Sequence, residues 1–153
     1  MSTITTQTNA AYEIVGKFIK VAGRLTNLGT ISRVAQTKLN DPEQPYTLMA
    51  WSDNNAFPVI MHKSSDPEEI EERFKQVSSL VLKHKQEKRK FVKIDKLLFA
   101  KDLIADVSPV VRKDNFLLAI TPQVAGAKPT WIAYDSEEEL NENLAKIEQL
   151  LTA

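Results

Sequence analysis

Apolar and polar residues alternate with a period of two through Phe18-Ile19-Lys20-Val21 and on to Arg24-Leu25. That is the spacing of a strand with one buried face. It predicts a first strand over about residues 14–33, with Phe18, Lys20, Ala22 and Arg24 on one face. Ile19, Val21, Gly23 and Leu25 fall on the other. Gly23 in the middle predicts a bulge or sharp bend. Residues 40–45 hold two prolines beside an Asn-Asp pair and read as a loop. Tyr46–Ser52 and residues 57–63 read as a second and third strand. The Asp53-Asn54-Asn55 turn joins them as a hairpin.

The period then changes. Asp66-Pro67-Glu68-Glu69 carries a capping residue, a proline at the first helical position and acidic residues suited to a helix N-terminus. Ile70, Phe74 and Val77 follow as one buried stripe, and the helix is expected to end near Ser78. Residues 80–85 read as a fourth strand and 91–100 as a fifth, connected by Gln86-Glu87-Lys88-Arg89. In the fifth, Val92, Ile94 and Leu98 are placed on one face and Lys93, Asp95, Leu97 and Phe99 on the other. Beyond Asp106 a short link with Ser108-Pro109 leads to short strands at 116–120 and Thr130–Tyr134. A second capping box, Ser136 to Glu139, opens an amphipathic helix with Leu140, Leu144, Ile147 and Leu151 at helical spacing.

The order strand, strand, strand, helix, strand, strand over residues 14–104 resembles the OB-fold, and within it the single-stranded-DNA-binding proteins. The resemblance is carried by Val21-Ala22-Gly23-Arg24-Leu25, by Phe57-Pro58-Val59-Ile60 before the helix, and by residues 91–99. It implies an α+β chain with an OB-like five-stranded β-barrel and a helix between strands 3 and 4. Residues 1–13 are expected to be a flexible lead-in. Residues 105–153 form a strand-strand-helix extension, packed on the barrel or on a partner. Two departures from the pattern stand out. The glycine expected after the helix is absent, and the hairpin expected to carry stacking aromatics carries Lys, Glu and Arg.

Composition changes the picture mainly through the placement of charge. The chain of 153 residues is neutral overall, with 20 Lys/Arg and 20 Asp/Glu. Yet residues 83–101 hold eight Lys/Arg against Glu87 and Asp95, while residues 135–153 hold six acids against Lys146. A concentrated basic segment attracts polyanions. There is no cysteine, which fits a cytoplasmic chain and removes thiolate metal sites and thiol nucleophiles. No apolar run reaches the ~20 residues of a membrane helix, and no membrane association is expected.

Catalytic chemistry is hard to assemble. His62 and His84 lack neighbours at ligand spacing, and His62 reads as a strand-end surface residue. Glu68 and Glu72 read as helix N-terminal acids rather than metal ligands. Only four glycines are present, with no phosphate-cradling loop. No cofactor, metal or enzymatic activity is expected. The expected function is binding of single-stranded nucleic acid, DNA or RNA, by the surface of the fourth and fifth strands. Lys83, Lys85, Lys88, Arg89 and Lys90 would meet phosphates, aided by Lys20 and Arg24. Trp51 would stack a base beside its polar turn. Reversing Lys88, Arg89 and Lys90 together is expected to abolish binding with the fold intact. The alternative is a protein–protein module, a complex subunit or inhibitor that uses the barrel and the acidic C-terminal helix.

Overall fold

The computed structural model describes residues 12–53 and 55–152. The expected lead-in therefore lies outside the described residues, apart from Tyr12 and Glu13, which belong to a strand. The first predicted strand is a tight meander: β1 (Tyr12–Val15), β2 (Phe18–Val21) and β3 (Arg24–Asn27) pair in the order β1-β2-β3. Gly23 is thus the end of a two-residue turn rather than a bulge. Ala22 and Gly23 both have positive φ, 50° and 83°, the twist that a two-residue hairpin requires. A single 3-10 turn (Leu28–Thr30) leads into β4 (Ile31–Lys38). β5 (Tyr46–Ser52) and β6 (Val59–Ser64) form the expected hairpin.

Helix α1 spans Pro67–His84. The Asp66 carboxylate accepts from the Glu68 N–H at 3.0 Å, as a cap should. The helix does not stop at Ser78. Val81 extends the buried stripe of Ile70, Phe74 and Val77 by one more turn, so residues 80–84 are helix and not a fourth strand. The predicted fifth strand is a hairpin, β7 (Phe91–Ile94) and β8 (Leu97–Ala100). Asp95 adopts φ 52° in its turn, a conformation Asp tolerates better than most residues. The turn resets the register. Val92 lies opposite Phe99 and Ile94 opposite Leu97, so these four share a face and Leu98 points the other way.

β4 sits at the centre of an antiparallel five-stranded sheet, β6-β5-β4-β8-β7. Its edges, β6 and β7, do not pair with each other, so these pairings do not close a barrel. A 3-10 turn (Lys101–Leu103) leads to β9 (Ile104–Arg112), β10 (Asn115–Pro122) and β11 (Thr130–Tyr134), a second meander. β9 occupies the stretch read as a link. Pro109 lies within it, opposite Leu118, on an edge strand, which is where proline is tolerated. Helix α2 (Glu137–Thr152) closes the described chain, and its Glu139 N–H donates to Ser136 Oγ at 3.1 Å.

The architecture is α+β, with the five-stranded sheet as a middle layer. One face packs Val34, Leu48, Ala50, Met61 and Leu98 against α1 and the first meander. The other packs Ala35, Val92, Ile94, Leu97 and Phe99 against Leu118, Ile120 and Ile132 of the second meander and Leu140 and Ile147 of α2. No helix among the described residues is long and apolar enough to cross a membrane.

Candidate functional site

The basic segment does not form the expected pair of strands over 80–85 and 91–100. It folds as the end of α1, a connection over residues 85–90, and the β7–β8 hairpin. Lys83 and His84 occupy the last turn of α1, where cations suit the negative end of the helix dipole. Lys85 ends the helix and its Nζ donates to the Glu87 carbonyl at 3.4 Å. The Arg89 N–H closes a turn onto the Gln86 carbonyl at 3.0 Å.

Arg89 then turns inward. Its Nη1 donates to both carboxylate oxygens of Asp53, at 2.8 and 3.0 Å, and its Nη2 donates to Asp102 Oδ2 at 3.1 Å. Its side chain is only 9% exposed. Burial works against the guanidinium charge. The hydrogen bonds and charges of Asp53 and Asp102 outweigh it and hold the group above the ordinary arginine range. Arg89 therefore ties the turn after β5, the connection after α1 and the turn after β8 into one unit. It is not a free phosphate ligand.

Around this clasp lies a cleft of about 510 Å³ lined by Gln86, Lys88, Arg89, Lys90, Lys101 and Asp102. Lys88 and Lys90 are exposed on either side of Arg89. The Lys101 N–H donates to the Lys90 carbonyl at 2.8 Å, which fixes the two walls together. Lys88, Lys90 and Lys101 thus line a concave, open site around an Arg89 guanidinium whose charge is met by Asp53 and Asp102. Such a site attracts a phosphate electrostatically and can offer it several donors.

The other predicted site residues do not join this cleft. Lys83 and Lys85 are outside its lining. Lys20 lies opposite Leu25, and Arg24 opposite Val21. The turn at Ala22-Gly23 therefore puts Lys20 and Arg24 on opposite faces of the first meander, not on one. Trp51 is half-buried, with the Arg33 guanidinium 3.8 Å over its ring, and it packs against the far core. Its π-face is occupied inside the protein, so it is poorly placed to stack a base.

Three aromatics among the described residues are exposed instead, Phe18 only marginally at 36%. Phe57 is 79% exposed and Trp131 is 49% exposed. The sequence places Phe57 at the start of a predicted strand; β6 begins only at Val59, and the Asn55 turn with Pro58 leaves Phe57 in the loop before it. Trp131 is not among the expected stacking residues; the alternation Trp131-Ile132 in a strand with one buried face is the signal that could have marked it. Nothing in the sequence distinguished Trp51 from them, because the residue that covers it, Arg33, lies on a neighbouring strand. His62 also departs from expectation: it is buried, with Nε2 2.6 Å from Glu69 Oε2. Among the described residues no group of three or more His, Cys, Asp or Glu is placed to hold a metal ion. In comparisons with known proteins, no family model, no curated protein and no solved structure matches this chain.

Proposed function

We propose that this chain is a non-enzymatic nucleic-acid-binding protein that prefers single strands and holds phosphates in the cleft beside Arg89. The observation that carries this reading is the convergence of Lys88, Arg89, Lys90 and Lys101 on one concave site, in a chain whose net charge is zero. Lys88 and Lys90 contact the ligand, and Arg89, its charge met by Asp53 and Asp102, shapes the site. The expected strands at 14–33 and 80–85 fold instead as a separate meander and as helix. A strand-strand-strand-helix-strand-strand order recurs over residues 31–100 in an open sheet, and an OB-like kinship is part of this proposal.

Fluorescence anisotropy of a labelled oligo-dT and a matched duplex, at low and moderate salt, tests this. The expected result is preferential binding of the single strand. If two or three phosphates are neutralised, log K should fall against log salt with a slope of about −2. The Lys88→Glu/Lys90→Glu double variant should lose binding at an unchanged melting temperature. Arg89 is left out of that variant because its reversal would place a third carboxylate between Asp53 and Asp102. Failure of the native protein to bind either probe at low salt would end the reading. The protein-module alternative has a weaker footing, since the apolar stripe of α2 is spent on the chain's own core through Leu140 and Ile147.

A further inference from the structure

Asp53 is tied to the basic cleft through Arg89, and Phe57, four residues further along the chain, carries an aromatic ring in solvent. Asp53 holds Arg89 within the cleft lining, and its N–H donates to the Thr30 carbonyl at 2.8 Å. The chain then turns tightly. The Asn55 N–H donates to the Ser52 carbonyl at 3.3 Å, and the Phe57 N–H donates to Asn55 Oδ1 at 3.0 Å. Four residues of fully extended chain span at most about 14 Å, and two turn hydrogen bonds shorten that reach. Phe57 therefore lies no more than about 14 Å from Asp53, the partner of Arg89, and its side chain is 79% exposed. No other side chain of its size projects as far into water among the exposed large hydrophobics.

We infer that Phe57 is a base-stacking platform: an unpaired base lies on its ring while the adjoining phosphate sits between Lys88 and Lys90. The inference rests on the cleft reading above and gives its strand preference a physical cause. Every base has a π-face that an exposed aromatic can cover regardless of sequence. In a duplex those faces are already stacked. Cations alone would not discriminate between the two forms in this way.

The test uses the full chain and two probes, an oligo-dT and an abasic oligonucleotide of equal length and charge. Phe57→Ala should weaken oligo-dT binding by roughly tenfold and leave the abasic strand unchanged. Phe57→Trp should restore or exceed native affinity, whereas Phe57→Leu, apolar but without a π-face, should not. The Lys88→Glu/Lys90→Glu variant should weaken both probes. Equal affinity of native protein and Phe57→Ala for oligo-dT would overturn the inference and leave the cleft reading standing. Equal loss on both probes would also overturn it, by showing that the ring serves the fold or the cleft. Binding of neither probe by the native protein would overturn both. The ring is exposed, so circular dichroism melts of the variants should match the native protein.

Discussion

Arg33 is 4% exposed, and no carboxylate pairs with it among the described residues. Its guanidinium lies over Trp51, at 3.8 Å, and near Phe99, at 5.3 Å. One hydrogen bond, from Nη1 to Thr130 Oγ1 at 2.8 Å, ties β4 to β11. Burial lowers its pKa to about 10, which still leaves it charged at neutral pH. A desolvated cation–π contact contributes about 2 kcal/mol, set against the cost of removing the charge from water. Truncation and charge removal should therefore separate. Arg33→Ala, which leaves a cavity, should cost about 2–4 kcal/mol in urea unfolding. Arg33→Met fills the same space without the charge and should cost less than half as much. Equal losses would mean that the charge, and not the volume, holds the layers together. The sequence shows Arg33 only as one more basic residue at the end of a predicted strand. Its role comes from Trp51 and Phe99 on the two strands that flank β4, and strand neighbours are set by topology, not by local pattern. The same reason hid the carboxylates that occupy Arg89.

Elements were legible where a local signal fixes an end. Asp66-Pro67 opened α1 at the expected residue, Ser136 capped α2, and Tyr46–Ser52 and Thr130–Tyr134 form as the alternation indicates. They were illegible where a turn lacks its usual residues or where an edge forgives an unusual one. The Asp95-Lys96 turn has no glycine, and Pro109 made an edge strand read as a link. The α1 terminus was misjudged because residues 80–84 suit a strand as well as a helix. The expected capping box at Glu69 is also only half made. The ionised Glu69 carboxylate, which can only accept, takes a hydrogen bond from His62 Nε2–H and so links β6 to the first turn of α1. That hydrogen bond is the main reason the Glu69 pKa is lowered from its ordinary 4.5, while partial burial opposes it. A lowered carboxylate pKa contributes stability that is present above the unfolded value and lost as pH falls through the folded one. Native protein should therefore melt higher than Glu69→Gln at pH 7, with the gap closing as the pH drops below about 4.5. A gap that stays constant from pH 7 to pH 3 would show that the ionised carboxylate contributes nothing.

At the scale of the whole molecule, the alternation along β4, β7 and β8 supplies two cores rather than one. Val34 and Leu98 face α1, while Ala35, Leu97 and Phe99 face the second meander. Neither side can lose its cover without wetting the shared sheet. Leu140, on the buried face of α2, is 1% exposed, and Leu140→Ala should cost about 2–5 kcal/mol. The native protein and this variant should each unfold in one transition, seen alike by far-ultraviolet circular dichroism and by the fluorescence of Trp51 and Trp131. An earlier fluorescence transition would show that the far layer melts alone. The α+β class was legible from the change of period along the chain. The three-layer arrangement was not, because a chain read element by element does not say which face of a central strand each cover protects.

Pro109 has a consequence beyond its own strand. β9 is an edge nine residues long, and an edge of that length is a template on which another chain can extend the ladder. A proline offers no N–H, so an incoming strand would find a rung missing partway along and its register would break there. The residue that disguised β9 in the sequence thus also works as a guard against fibrillar growth from that side of the molecule.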